Sequence, residues 1–279
     1  MINDFFKFAK DACNGTLFEK RVEPEFNVEE ASTFFNRRYG AATTLDMTKL
    51  DWMIDPPPPT VPYNSDAVRP CQVKKILKSK SPNKAPEEDG VLYGVLLRLP
   101  SIHHILATLY TRTNESNLAP ASWATSSVVL AHKGGDPKDP SMFRMIALTS
   151  CLGKIYHQIK ADRLTEYMTE NDYIDETTQK AFIKHLNGCV EHTQVLSEII
   201  QDAKHKRKTV HVSFYDLTDA YGSIPHLLIQ HCLKLYHIPS DEIEYIMGLY
   251  SQLKGTVITK KWKTATRTAR SYSTRPSSP

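Results

Sequence analysis

The stretch that most constrains the chain runs from Val210 to His226, Val-His-Val-Ser-Phe-Tyr-Asp-Leu-Thr-Asp-Ala-Tyr-Gly-Ser-Ile-Pro-His. Val210, Val212 and Phe214 fall on one parity and His211, Ser213 and Tyr215 on the other, the alternation of a strand with one buried face. Asp216 ends that run. Ser223 and Pro225 then mark the start of a helix carrying Leu227, Leu228 and Ile229. A carboxylate at the end of a core strand, with a turn behind it, stands on rigid backbone where it can face a metal or a substrate. Taken alone, Asp216 and Asp219 serve equally as helix caps or turn residues.

A chain of 279 residues can form one large domain or two small ones, and 41% hydrophobic with 24% charged residues is the balance of a soluble globular protein. Thirty-five basic against 31 acidic residues, a net charge of +4, permits contact with phosphate without demanding it. Cys13, Cys71, Cys151, Cys189 and Cys232 are scattered, odd in number and free of any C-x-x-C pair. They imply neither a disulfide framework nor a zinc knuckle and fit a reducing compartment. No apolar run approaches the ~20 residues of a membrane helix, and the N-terminus lacks the apolar core of a secretion signal. The expectation is a soluble intracellular protein, in nucleus or cytoplasm, with no membrane association.

Taken in order, Asn27 and Glu30 form a capping box at the head of a helix over 28–39, with Gly40 to stop it. Residues 1–50 read as a peripheral helical segment. Pro56 to Pro59 in a row, with Pro62 behind, favour polyproline II and exclude helix, so 51–70 reads as a stiff linker and domain boundary. Val73, Ile76 and Leu77 share one helical face, with Lys74, Lys75, Lys78 and Lys80 mostly on the other. Ser81 to Gly90 is turn chemistry. Two helices follow, over 91–99 and 102–110, and the adjacent His103 and His104 cannot share a face as metal ligands would.

Strands over 126–132 and 143–150, joined by a Gly/Asp/Pro loop, make a hairpin. Leu152, Ile155, Tyr156, Ile159 and Leu164 line a long helix whose other side shows Lys154, Lys160 and Arg163, facing water or phosphate. His185, Cys189 and His192 lack a fourth ligand, which favours packing and capping over metal binding. His192, Val195, Leu196, Ile199, Ile200 and Ala203 make a buried helical stripe that ends in Lys204-His-Lys-Arg-Lys208. Two more helices, to Tyr236 and from Ser240, precede a last strand over 255–259.

Phe214 to His226 resembles motif A of reverse transcriptases in the form found in non-LTR retrotransposons: an aromatic, any residue, Asp-Leu, two residues, Ala-Phe/Tyr, then Gly-Ser-Val/Ile-Pro-His. Further elements are similar to the family's and stand in its order. Ser81 to Gly90 matches Lys-x-Ala-Pro-Gly-x-Asp-Gly, with Glu87 in place of Gly. Pro120-x-x-Trp123 precedes a strand ending in Lys133-Gly-Gly-Asp136, and Phe143-Arg-Met-Ile-Ala-Leu148 follows with Met145 in place of Pro. Gln179-Lys-Ala-Phe182, with Ala181 for Gly, and Gly188-Cys-Val-Glu-His192 complete the series. The match covers roughly residues 70 to 263.

The resemblance implies an α+β fold: mostly helical fingers with a β-hairpin over 71–208, an incomplete right-hand-polymerase palm over 209–263, and a disordered tail over 264–279. It makes Asp216 the catalytic, metal-binding acid, joined by the Leu217 carbonyl. Tyr221 becomes the steric gate beneath the incoming sugar, and Lys133 and Arg144 the cations that hold its triphosphate. Mg2+, dNTP and an RNA/DNA template-primer are the implied cofactor and partners. Phosphoryl transfer by two metals needs a clamp of carboxylates around ions about 4 Å apart, which the family completes with an aromatic-Ala-Asp-Asp hairpin. This sequence has no Asp-Asp pair, and Asp241 is the only Asp after Asp219. The expectation is therefore a retrotransposon-derived RNA-directed DNA polymerase domain, a nucleotidyltransferase by kinship, truncated after motif A and inactive as an isolated chain. The alternatives are a non-catalytic nucleic-acid-binding module and an interaction protein that docks through its proline linker.

Overall fold

Helices and sheet meet at one tryptophan, Trp123. The computed structural model describes residues 22–39, 46–50, 52–82, 90–181, 183, 186, 188–217, 224–264 and 267–268. In chain order its elements are α1 (Val28–Tyr39), α2 (Pro70–Ser79), α3 (Tyr93–Arg98), α4 (Pro100–Ser116), β1 (Thr125–His132), β2 (Phe143–Thr149), α5 (Cys151–Glu170), α6 (Gly188–His205), α7 (His226–Leu235), α8 (Ser240–Gln252), β3 (Lys254–Ile258) and β4 (Arg267–Thr268). Pro70 and Pro100 open α2 and α4 at the first turn, where a missing amide proton costs nothing. The capping box at α1 forms as expected: the Asn27 carboxamide oxygen accepts from the Glu29 and Glu30 amides, and the Glu30 carboxylate accepts from the Asn27 amide, all at 2.9 Å.

Val73, Ile76 and Leu77 of α2 bury the face read from their spacing, against Tyr93, Leu96, Leu106 and Tyr110 and against Ile155, Tyr156 and Ile159 of α5. Trp123 completes this core. Its ring lies 5.8 Å from Tyr110 and 5.3 Å from Tyr156, and Tyr156 lies 5.4 Å from Tyr245 of α8. Gly153 makes the seat possible, because a Cβ there would stand 2.9 Å from Trp123 Cγ.

The sheet has the order β2-β1-β3-β4. The expected hairpin is present, β1 against β2 antiparallel, while β3 lies parallel to β1 with Thr125 beside Lys254. Trp123 leads directly into β1 and α8 into β3, so the aromatic cluster fixes both strands at their starts; the Lys254 amide then donates to the Ala124 carbonyl at 2.7 Å. Helix α1 is not peripheral: Ala31 and Phe35 pack with Phe26 on Val128, Leu130, Phe143 and Val257, covering one face of the sheet. Beyond the last expected strand, Arg267–Thr268 pairs antiparallel with Lys254 and Gly255, so the polar tail is not wholly without structure; residues 269–279 lie outside the described residues.

Three other expectations are corrected. Lys160 and Arg163 do not face water or phosphate. Arg163 is buried, donating from Nη2 to the Asp66 carbonyl at 2.7 Å, and the Lys160 ammonium bonds Glu242 of α8 and Asn114 of α4. Burial pulls the Lys160 pKa below its ordinary value, against the opposing effect of Glu242. The helix stripe of α6 is formed but mostly uncovered, with Val195 56% and Ile199 49% exposed and Ala203 alone buried among the residues named for it. Spacing makes an apolar face; only a facing layer buries it. Residues 209–217 form no strand: Val210 and Val212 are exposed and Phe214 is 84% exposed. Alternation sets the parity of a strand, but the strand itself requires a neighbour to complete its hydrogen bonds, and no described residue pairs with this segment.

The proline-rich stretch forms neither helix nor strand, and it is held against the body. Tyr173 donates to the Pro57 carbonyl at 2.8 Å, and Tyr63 packs edge-on to Tyr167 at 5.6 Å. No helix among the described residues is long and apolar enough to cross a membrane.

Replacing Gly153 with Ala should destabilise the protein by about 1–3 kcal/mol through overpacking against Trp123, although helix propensity alone favours Ala by about 1 kcal/mol. Urea unfolding decides the sign, and an unchanged or raised midpoint would show that the seat is loose. His157 supplies a second test. It is bonded to the Tyr245 hydroxyl at 2.9 Å, and burial, with Lys160 as a lesser cause, pushes its pKa down from 6.5 to about 4. In that window the unfolded chain binds the extra proton, so stability falls as pH falls. His157→Gln should flatten the decline of unfolding free energy between pH 7 and 4.5 by up to about 3 kcal/mol; equal slopes in variant and wild type would contradict it.

Candidate active site

The hairpin register places its two cations. Ala131 stands opposite Arg144 and His132 opposite Phe143, and the ladder continues one step with the Lys133 amide donating to the Met142 carbonyl at 2.8 Å. Opposed residues share a face, as do residues two apart on one strand. Lys133 and Arg144 therefore leave the tip on one side, while Leu130 and Phe143 point to α1 on the other. Arg144 is exposed. The Lys133 ammonium donates to the Ser141 carbonyl at 2.8 Å. Asp139 lies close by, its carboxyl held below the usual range by hydrogen bonds from the Ser141 hydroxyl and amide and then by the Lys133 charge. Gly134 and Gly135 turn the tip at φ +97° and +100°, and a side chain at Gly135 would meet Met142 Sδ at 2.9 Å. A guanidinium fork and a point charge on one exposed edge are chemically suited to hold phosphate oxygens.

Asp216 and Leu217 sit on the 209–217 segment, which forms no helix or strand, both exposed, with Tyr215 94% exposed beside them. Tyr221 and Asp219 lie outside the described residues. Asp216 offers oxygen donors of the hardness a divalent cation prefers. No group of three or more metal-ligating side chains occurs among the described residues, so these residues do not by themselves fit a two-ion clamp. The structure thus brings Lys133 and Arg144 together and places Asp216 on a segment outside the sheet. His185 and the side chain of Cys189 also lie outside the described residues, while His192 is exposed.

Glu242 and Tyr63 are the residues that sequence reading passes over. Glu242 looks like an ordinary acid in the first turn of a helix, favoured there by the helix dipole. It is buried and takes Lys160 as its ion-pair partner, and its charge adds to burial in raising the Tyr63 pKa. The one local signal was that Lys160 and Arg163 lie at i+4 and i+7 from Tyr156, on a face they share with that buried ring.

Residues 132–272 match the family described as reverse transcriptase (RNA-dependent DNA polymerase). Similar proteins include the retrovirus-related Pol polyprotein from type-1 retrotransposable element R2 of Nasonia vitripennis, 29% identical over 154 residues, covering 55% of this chain and 14% of that one. The probable RNA-directed DNA polymerase from transposon BS of Drosophila melanogaster is 26% identical over 236 residues, 81% of this chain and 25% of the relative. That from transposon X-element of the same fly is 25% identical over 164 residues, 58% of this chain and 18% of the relative. The chain spans between about a seventh and a quarter of the length of these relatives. With the family match covering half of its residues and the ordered motifs extending upstream, the chain belongs to the reverse transcriptase (RNA-dependent DNA polymerase) family, in the company of non-LTR retrotransposon enzymes.

Proposed function

We propose that these residues are the fingers, over 71–208, and the first part of the palm, over 209–263, of an RNA-directed DNA polymerase, acting on an RNA/DNA template-primer and dNTP. Lys133 and Arg144 grip the triphosphate, Tyr221 lies beneath the sugar, and Asp216 with the Leu217 carbonyl contributes to a Mg2+ site. The observation that carries this reading is the hairpin register, which sends both cations from one side of the tip within the family-matched region. Two-ion polymerase chemistry needs carboxylates clustered around the metals beyond Asp216, and this sequence contains no Asp-Asp pair to supply them. The same observation favours binding without chemistry for the 279 residues alone.

Lys133→Ala and Arg144→Ala should each weaken dNTP binding about tenfold at low salt, the scale of one lost charge-assisted hydrogen bond. Calorimetric titration reads this directly, and two variants that bind like wild type would remove the hairpin from the site. The same protein should incorporate no nucleotide on a primed template with Mg2+; incorporation that depends on Asp216 would show that these residues do complete a site.

A further inference from the structure

The chain enters α1 at a fixed angle. The Asn27–Glu30 capping box sets the first turn, and Phe26, just before the cap, packs in one cluster with Ala31 in the fourth helical position, a pairing that fixes how a chain approaches its helix. Ala31 and Phe35 seat α1 on the sheet, and residues 24–26 reach the end of the β1–β2 hairpin from that seat. Pro24 and Phe26 are buried there, while Glu25 between them is exposed. The Phe26 ring stands edge-on to Phe143 at 5.4 Å and lies 6.0 Å from Trp262, whose indole Nε1 donates to the Phe26 carbonyl at 3.3 Å. The Glu25 amide donates to the Pro137 carbonyl at 3.0 Å.

That bond lands on the hairpin loop, over 133–142, which carries Lys133 at its first position. The far half of the loop closes on itself. The Lys138 amide donates to Asp136 Oδ1 at 2.9 Å, the Asp139 amide to the Asp136 carbonyl at 3.1 Å, the Ser141 amide to Asp139 Oδ1 at 2.8 Å and the Met142 amide to the Asp139 carbonyl at 3.0 Å. Between this turn and Lys133 stand Gly134 and Gly135, both at positive φ, with open space around a Cβ placed on Gly134. Such a pair is a joint of wide backbone freedom. The Glu25–Pro137 bond spans the joint from outside the hairpin, and Phe26 backs Phe143, after which β2 turns Arg144 to the opposite face. Pro137 is half-buried between exposed Asp136 and Lys138.

Building on the reading of Lys133 and Arg144 as a triphosphate grip, we propose that residues 24–26 are a positioning arm for that edge. Glu25 by its amide and Phe26 by its ring hold the hairpin loop from the α1 side, so that the two cations present one arrangement to the triphosphate. Neither residue touches the nucleotide; both act through the loop. A loop free to turn at Gly134–Gly135 must be ordered at each binding event, which lowers affinity, and an arm that orders it beforehand removes that cost.

Two readouts on the full chain test this, with Glu25→Pro, which deletes the amide, measured against Glu25→Ala, which loses the carboxylate and keeps the amide. Amide hydrogen exchange over 133–142 should be about fivefold faster in the proline variant, the scale of one lost backbone hydrogen bond. Calorimetric titration with dATP and Mg2+ should show binding about fivefold weaker. In a protein already carrying Lys133→Ala and Arg144→Ala, the same change should cause no further weakening, because the arm then has no cations to position. Equal weakening in both backgrounds is the mark of general damage to the fold and would overturn the proposal, as would an unchanged exchange rate over 133–142. Binding of dATP that ignores Lys133 and Arg144, with a loop that Glu25→Pro still loosens, would sink the triphosphate reading and leave the arm's hold on the loop standing. Phe26→Leu keeps the core filled without the edge-on ring and should speed exchange over 133–142 about threefold, the scale of one aromatic pair; it decides the matter if Glu25→Pro fails to fold.

Discussion

The seating of Trp123 on Gly153 is the contact on which the rest depends. An indole can approach a helix this closely only where the helix has no side chain, and α5 provides that gap at Gly153, beside the buried Ile155 and Tyr156. From that seat β1 departs in a fixed direction. Tyr245, packed on the other side of Tyr156, fixes α8 and so the start of β3. Two strands 129 positions apart in register, Thr125 and Lys254, are thus made neighbours by rings rather than by a loop. Parallel pairing needs a long crossover, and here the crossover includes α5, α6, α7 and α8. The hairpin, with α1 across one face, is built on that foundation.

Beneath the rings lies a polar layer that makes the arrangement specific. Lys160 sits over both Tyr156 and Tyr245, 5.4 and 5.5 Å from the ring centres, while bonding Glu242 and Asn114. A buried ion pair is weak evidence for stability, because desolvation opposes the attraction. Its geometric demand is strict, though: α4, α5 and α8 must stand where one ammonium can reach all its partners. Removing one partner would leave a buried charge, so the layer penalises misplacement more than it rewards correct placement.

Much of this was legible in the sequence, and the residues show why. Helix positions followed from 3.6-residue spacing in Val73, Ile76 and Leu77 and in Ile155, Tyr156 and Ile159, and the hairpin from a Gly-Gly-Asp-Pro turn between apolar runs. The capping box at Asn27 was read to the residue because it is a purely local bond pattern. What failed was everything that needs a distant partner. The stripe of α6 and the alternation at Val210 to Phe214 are genuine patterns, yet burial depends on an opposing layer, and both stand exposed here. Lys160 and Arg163 read as a basic outer face, and burial reversed that because Glu242, 82 residues from Lys160, and the carbonyl of Asp66, 97 residues from Arg163, come to meet them. The motif residues were found by resemblance. Their spatial grouping was not, and of that grouping the structure supports the Lys133–Arg144 edge through hairpin register alone.

The molecule is thus a helical core that carries the Lys133–Arg144 hairpin, with residues 209–217 standing outside the sheet. A map of amide-to-amide nuclear Overhauser contacts across the backbone tests that division most directly. The account predicts interstrand contacts between residues 126–130 and both 145–149 and 254–258, and none from residues 210–217 to any strand. Contacts tying Val212 or Phe214 into a strand pair would contradict it, and would place Asp216 at the end of a formed strand after all.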